Sequence, residues 1–83
     1  MWIYLNDRFV QDHEAVISVF DHGFLYGDGV FETMRSYGPR LFMRDRHLSR
    51  LFQSADAIGM RIPIPLRQWA AILQEAMERN EVG

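Results

Sequence analysis

The sequence lacks both cysteine and lysine. All nine of its basic residues are arginines, in a chain of 83 residues. Without cysteine there can be no disulfide framework and no thiolate metal site, which fits a reducing compartment such as the cytoplasm. Without lysine, any reaction that needs a side-chain amine as a nucleophile or Schiff base must take that amine from other polypeptide.

The sequence also has no basic run and no long apolar run. The net charge is −2, and the arginines are scattered, whereas a surface that follows nucleic-acid phosphates needs clustered positive charge. No apolar stretch approaches the ~20 residues that span a bilayer, and the first residues, MWIYLND, do not have the pattern of a signal peptide. We therefore expect neither a nucleic-acid partner nor a membrane partner.

Local patterns predict one small α+β domain, a small antiparallel sheet with two helices packed on it. Residues 2–10 are typical of a hairpin with a polar turn, Asn6-Asp7, and residues 16–20 predict a short extended segment. Apolar residues at helical spacing predict an amphipathic helix from about Asp45 to Gly59. A second helix is expected to open at Pro65 and to end near residue 80.

Residues 30–37 alternate in the way that predicts a β-strand. The Gly38-Pro39 turn should return the chain antiparallel over residues 40–43. In such a strand Glu32 and Arg35 lie on opposite faces, so they could not pair with each other.

The stretch FDHGFLYGDGVFETMR, residues 20–35, contains three of the six glycines. A calcium loop is excluded because its third, fifth and sixth positions hold Gly, Leu and Tyr, and a dinucleotide loop is excluded because a third glycine is missing. The three histidines have no metal-ligand spacing, so no metal site is expected. The remaining interpretation is a tight backbone path that leads into a strand, either as a packed turn or as a pocket wall. Asp21 and Asp28 are expected to stabilise the turns by accepting hydrogen bonds from backbone amides.

Two segments, SVFDHGFLYGDGVFETMRSYG and RHLSRLFQSADAIGMRIP, together resemble the N-terminal domain of class IV (fold-type IV) pyridoxal-phosphate enzymes. This family includes branched-chain aminotransferases, D-amino-acid aminotransferases and aminodeoxychorismate lyases. The resemblance covers nearly the whole chain and implies pyridoxal 5'-phosphate as the cofactor, with an amino acid and a 2-oxo acid as substrates.

By this resemblance Arg50, in the segment HLSRL, matches the arginine that grips the cofactor phosphate, and a guanidinium suits that role because it stays charged. Tyr26 and Phe31 match positions that line the substrate pocket, so these rings and Arg50 are expected to form half of a cleft. Glu32 is interpreted as a supporting group and Arg35 as an interface or domain-contact residue. His47 is expected to fix the helix start or the loop.

The order Tyr26 then Phe31 is similar to the branched-chain type, whereas D-amino-acid enzymes tend to have the reverse order. The segment FETMR stands where many branched-chain enzymes read F-E-G-[IL]-R, and lyases often carry F-E-T. The resemblance therefore favours transfer of an amino group between a branched-chain amino acid and 2-oxoglutarate. An aminodeoxychorismate lyase and a D-amino-acid aminotransferase are the alternatives within the family.

The resemblance also implies that residues 1–83 are the small N-terminal domain of a longer enzyme. The Schiff-base lysine belongs to a C-terminal domain that this chain does not contain, so the isolated chain is expected to be inactive. It should expose apolar surface that its own C-terminal domain and a second copy cover in a homodimer or higher oligomer. A non-catalytic stand-alone module is the third alternative.

Overall fold

A computed structural model describes residues 1–81. It contains two separate two-stranded antiparallel sheets and three α-helices, with a 3₁₀ turn over Asp12–Glu14. The strands are β1 (Trp2–Leu5), β2 (Arg8–Gln11), β3 (Ser36–Tyr37) and β4 (Arg40–Leu41), and the helices are α1 (His22–Tyr26), α2 (Arg44–Ala57) and α3 (Leu66–Arg79). The α+β fold class is confirmed, although two small sheets replace the single sheet expected.

The first hairpin closes through a two-residue turn, as predicted. Leu5 pairs with Arg8, and the intervening Asn6 and Asp7 have φ angles of 48° and 73°. Two consecutive positive φ values are the signature of a type I′ turn, whose twist matches that of the flanking strands. Asn and Asp tolerate this region better than other residues with a β-carbon, which explains the sharp reversal at this point.

Both predicted long helices are confirmed. Helix α2 ends before Gly59, which has a φ of 72°, and the amide of Met60 returns to the carbonyl of Ala55. Helix α3 begins directly after Pro65, whose fixed φ suits the residue before a helix. Within residues 1–81 no helix is both long and apolar enough to cross a bilayer.

Helix α3 lies between α2 and the first hairpin and contacts both. The buried apolar residues of the described chain come from three elements, Val10 on β2, Leu48 and Ala55 on α2, and Met77 on α3. This small core fixes α2 relative to the hairpin, and α2 carries the side chains of the candidate site.

The two ends of the described chain are joined by side chains at the end of α3. The Asn80 side-chain oxygen accepts from the Trp2 amide at 2.7 Å, and its amide nitrogen donates to the Trp2 and Ala76 carbonyls. The neighbouring Arg79 guanidinium lies 4.8 Å from the Trp2 ring centroid and 4.5 Å from that of Phe9. These contacts attach the first hairpin to the last helix.

The predicted strand over residues 30–37 is largely wrong. Only Ser36–Tyr37 forms a strand, which pairs with Arg40–Leu41 across the expected turn, and the Phe42 amide extends the pair by donating to the Arg35 carbonyl. A strand needs a neighbour to satisfy its backbone groups, and in the described part of the chain no strand lies beside residues 30–35. Residues 16–20, predicted as extended, also form no strand.

The glycine-rich stretch begins with the short helix α1, whereas a tight backbone path into a strand was expected. The Asp21 carboxylate caps α1 by accepting from the Phe24 amide, as predicted for this residue. Gly27 ends the helix with a φ of 74°. Asp28 differs from its prediction, since its carboxylate contacts the His22 ring.

Candidate functional site

The Glu32 carboxylate joins two side chains of α2. Its Oε2 accepts from Arg50 Nε at 2.8 Å, and its Oε1 accepts from Arg50 Nη2 at 2.8 Å. The same Oε1 lies 2.7 Å from His47 Nδ1. We call Glu32, His47 and Arg50 the carboxylate cluster, and it brings together three of the six residues that the sequence singled out.

The geometry of the cluster follows from helix spacing. His47 and Arg50 are three positions apart on α2, so both side chains project from one helix face. Glu32 comes from the irregular segment before β3, and only 10% of its side chain is exposed, whereas 65% of the Arg50 side chain is exposed. The carboxylate is therefore the inner member, and the guanidinium reaches outward past it.

The cluster favours an ionised carboxylate. The hydrogen bonds from Arg50, followed by the contact with His47, lower the pKa of Glu32 from 4.5 to about 2. The same interaction with Glu32 raises the pKa of the Arg50 guanidinium. Across the ordinary pH range the pair is thus an ion pair with two parallel hydrogen bonds.

We expect the Glu32 carboxyl to titrate near pH 2 in the folded chain. Because its folded pKa lies below the unfolded value, the stabilisation by this group is complete above about pH 4.5 and is lost as the pH falls toward 2. Carbon-13 NMR of the side-chain carboxyls measures the midpoint directly. Arg50→Gln should move it upward toward 4.5, and a wild-type midpoint at 4.5 would contradict the structural account.

An open depression of about 540 Å³ lies beside the cluster on α2. Most of the residues that line it are polar or charged, including two arginines and one aspartate, and the lining residues are Met43, Asp45, Arg46, His47, Ser49, Arg50 and Gln53. Three donors suited to an anion, Arg46, Ser49 and Arg50, follow helical spacing on a single face. Sequence reasoning missed Arg46 and Ser49, although Ser49 and Arg50 follow Arg46 by three and four residues, a spacing that could have revealed the shared face.

The two predicted pocket rings lie elsewhere. Neither Tyr26 nor Phe31 lines the depression at Arg50, and their exposed fractions are 71% and 86%. The Tyr26 ring rests 4.8 Å, centroid to centroid, from the His22 ring. The depression is therefore not the cleft that Arg50 and the two rings were expected to share. The roles of the rings in substrate binding stay predictions.

Arg35 is exposed and makes a different kind of contact. Its guanidinium carbon lies 5.7 Å from the centroid of the Tyr37 ring, within cation–π range. Glu32 does not pair with Arg35, as the sequence predicted, although residues 30–35, from which that prediction was argued, form no strand. Its pairing with Arg50 was not predicted. The proposed contact role of Arg35 stays a prediction.

A comparison with protein families matches residues 29–83, more than half of the chain, to the family described as amino-transferase class IV. The chain belongs to the class IV aminotransferase family. The predicted family resemblance is confirmed, and the segment around Glu32, His47 and Arg50 lies inside the matched region.

Curated relatives include class IV aminotransferases and a lyase. A Methanocaldococcus jannaschii protein with the provisional name branched-chain-amino-acid aminotransferase is 43% identical over 82 residues, which is 99% of this chain and 28% of the relative. The aminodeoxychorismate lyase of Bacillus subtilis is 36% identical over 80 residues, covering 96% of this chain and 27% of the relative. The D-alanine aminotransferase of Listeria innocua is 34% identical over 83 residues, covering all of this chain and 29% of the relative. The chain thus spans less than a third of the length of each of these relatives.

Proposed function

We propose that this chain is the N-terminal part of a pyridoxal-phosphate-dependent aminotransferase that moves the amino group between a branched-chain amino acid and 2-oxoglutarate. Family membership supports the reaction class. The chain spans less than a third of its relatives' length and has no lysine, so the proposal takes the Schiff-base amine from polypeptide outside these 83 residues. The proposed enzyme works in the cytoplasm.

The observation that carries the proposal is the way Glu32 engages Arg50. The carboxylate takes the side-on edge of the guanidinium, Nε and Nη2, and Nη1 has no partner within residues 1–81. The end-on edge remains for a second anion at the depression, where Arg46 and Ser49 add a cation and a hydroxyl. These residues fit a phosphate ester and would hold that of the cofactor, which supplies an electron sink for the substrate carbon that carries the amino group.

The proposed substrate class is supported by the two aromatic positions and by the relatives. Tyr26 followed by Phe31 is the order that resembles branched-chain enzymes, and the 43% identical relative carries a branched-chain name. We assign the Phe31 face to the apolar substrate side chain and the Tyr26 hydroxyl to a polar group of the substrate.

The second candidate is a lyase that releases pyruvate from aminodeoxychorismate. The specific observation in its favour is the run Phe31-Glu32-Thr33, which lyases of this family often carry, and a relative that is 36% identical bears that name. A D-amino-acid aminotransferase is supported by the relative from Listeria innocua but has the opposite order of aromatic residues.

The same proposal assigns partners to the exposed apolar residues before the cluster. Several large side chains of residues 16–31 are more than half exposed, namely Val16, Ile17, Val19, Phe20, Phe24, Leu25, Tyr26 and Phe31. Isolated domains rarely expose so much apolar surface in one stretch. We assign this stretch to contacts with the C-terminal part of the enzyme and with a second copy in a homodimer or larger oligomer.

The test is an assay of the protein encoded by the complete reading frame that contains this chain. With pyridoxal phosphate, L-leucine and 2-oxoglutarate we expect glutamate, at a rate at least about tenfold above that with D-alanine as donor. Pyruvate release from aminodeoxychorismate is measured in parallel. The 83-residue chain alone should form no glutamate above a control with cofactor only.

Each outcome points to one alternative. Pyruvate without glutamate would favour the lyase over the aminotransferase. A preference for D-alanine would favour a D-amino-acid aminotransferase over a branched-chain aminotransferase. Glutamate formed by the 83-residue chain would overturn the assignment of the amine to other polypeptide. A complete frame that ends at Gly83 and shows no turnover would favour a non-catalytic module.

A further inference from the structure

We propose that Glu32 is a positioning residue that sets which edge of Arg50 is offered to a phosphate group and which ring nitrogen of His47 carries the proton. It fixes the direction of the guanidinium and the proton position on the imidazole at the same time, through one carboxylate. The identity of the ligand as a phosphate ester rests on the proposed function, whereas the positioning itself rests on the contacts of these three side chains.

Glu32 restrains an arginine that would otherwise move freely. With 65% of its side chain exposed, Arg50 has little packing to hold it, and a long flexible side chain loses rotamer freedom when it binds a ligand. Two hydrogen bonds to a carboxylate that is itself only 10% exposed remove that freedom before any ligand arrives. The end-on edge is therefore presented in one direction, which is the advantage of preorganisation.

Glu32 also determines the neutral tautomer of His47. An ionised carboxylate only accepts hydrogen bonds, so the ring nitrogen that faces it, Nδ1, must carry the proton. In the neutral ring Nε2 then has no proton, and it has no partner among residues 1–81. His47 also lines the depression, so its unprotonated nitrogen is an acceptor for a hydroxyl group close to the Arg50 fork.

The chain contains its own control for this tautomer. His22 faces the carboxylate of Asp28 through Nε2, the opposite ring nitrogen. By the same reasoning neutral His22 carries its proton on Nε2, so the two histidines of one molecule should show opposite tautomers.

The first experiment reads these tautomers by nitrogen-15 and carbon-13 NMR of the histidine rings in the full 83-residue chain. We expect the Nδ1–H form at His47 and the Nε2–H form at His22. Arg50→Gln should leave His47 unchanged because its carboxylate partner remains, whereas Asp28→Asn should affect His22 alone. An Nε2–H form at His47 in the wild-type chain would overturn the proposal.

The second experiment measures binding of inorganic phosphate from amide and arginine side-chain shifts, which report millimolar affinities. We expect a saturable response at Arg46, His47, Ser49 and Arg50. Glu32→Asp keeps the charge but shortens the side chain, and Glu32→Gln keeps the length but removes the charge. Both should weaken phosphate binding about threefold to tenfold, because positioning needs length and charge together. The control Arg67→Gln, an exposed arginine on α3, should have no effect.

The alternative, in which Glu32 only reduces the positive charge near the site, gives different results. Glu32→Gln would then bind phosphate more tightly than the wild-type chain, and Glu32→Asp would bind equally well. Either result, or no saturable response in the wild-type chain, would overturn the proposal. None of these measurements needs turnover, so their failure is distinguishable from failure of the proposed aminotransferase function.

Discussion

Replacing Arg50 by glutamine in the complete enzyme is expected to weaken pyridoxal phosphate binding by about 10- to 100-fold. Charged hydrogen bonds to phosphate are the strong ones, and the side-on pairing with Glu32 leaves the end-on edge of Arg50 for this use. The neutral amide of glutamine keeps some donors but loses both the charge and the planar fork. Cofactor affinity is measured from the absorbance change on titration of the apoenzyme.

Two further variants sharpen this result. Arg67→Gln removes an exposed arginine from α3 and should leave cofactor affinity unchanged. Arg46→Gln tests the second guanidinium at the depression and should give a smaller loss than Arg50→Gln. Among residues 1–81 no carboxylate positions Arg46, and its side chain donates only to the Met43 sulfur at 3.7 Å. Equal affinities for Arg50→Gln and Arg67→Gln would exclude Arg50 from the cofactor site.

Replacing Leu48 by alanine is expected to lower the free energy of unfolding by about 2–5 kcal/mol. Leu48 is 2% exposed and is the largest side chain that is essentially fully buried in the described residues. A chain of this length has a total stability of roughly 4–12 kcal/mol. The substitution therefore removes a large share of the stability, and a urea titration followed by circular dichroism should show a much lower midpoint.

The matched control for this substitution is Leu25→Ala. Leu25 lies on the short helix α1 and is 51% exposed, so the same loss of atoms should change stability by about 0.5 kcal/mol or less. If Leu48→Ala cost no more than Leu25→Ala, the core centred on α2 would not be the one that stabilises the chain.

The elements that could be predicted from the sequence are those whose signals are local. Helix α2 is marked by apolar residues at helical spacing and by Gly59, helix α3 by Pro65, and the first hairpin by Asn6-Asp7. Each of these signals acts within a few residues of the element that it starts or ends, so no knowledge of the rest of the fold is needed.

The local pattern alone could not show whether residues 30–37 form a strand. Alternation shows that a segment can be a strand, but pairing decides whether it is one, and of residues 30–37 Ser36 and Tyr37 are the two that pair as a strand. Helix α1 was missed for another reason, because a polar cap at Asp21 and a glycine at Gly27 were visible in the sequence but were interpreted as turn residues.

The candidate site, too, could be predicted only in part. The sequence singled out Glu32, His47 and Arg50, but the pairing of Glu32 with Arg50 joins residues 18 positions apart and depends on how the segment before β3 lies against α2. The charge of each residue can be read from the sequence. The fold determines which edge of the guanidinium pairs with Glu32 and which ring nitrogen of His47 faces it.

The bonds between Trp2 and Asn80 bear on how this chain folds during its own synthesis. They join residues 78 positions apart, and β1 packs on α3. The first hairpin can form early, yet its docking surface does not exist until the last helix has left the ribosome. An isolated two-stranded hairpin is only marginally stable in water, so folding should complete in one late step once residue 80 has emerged.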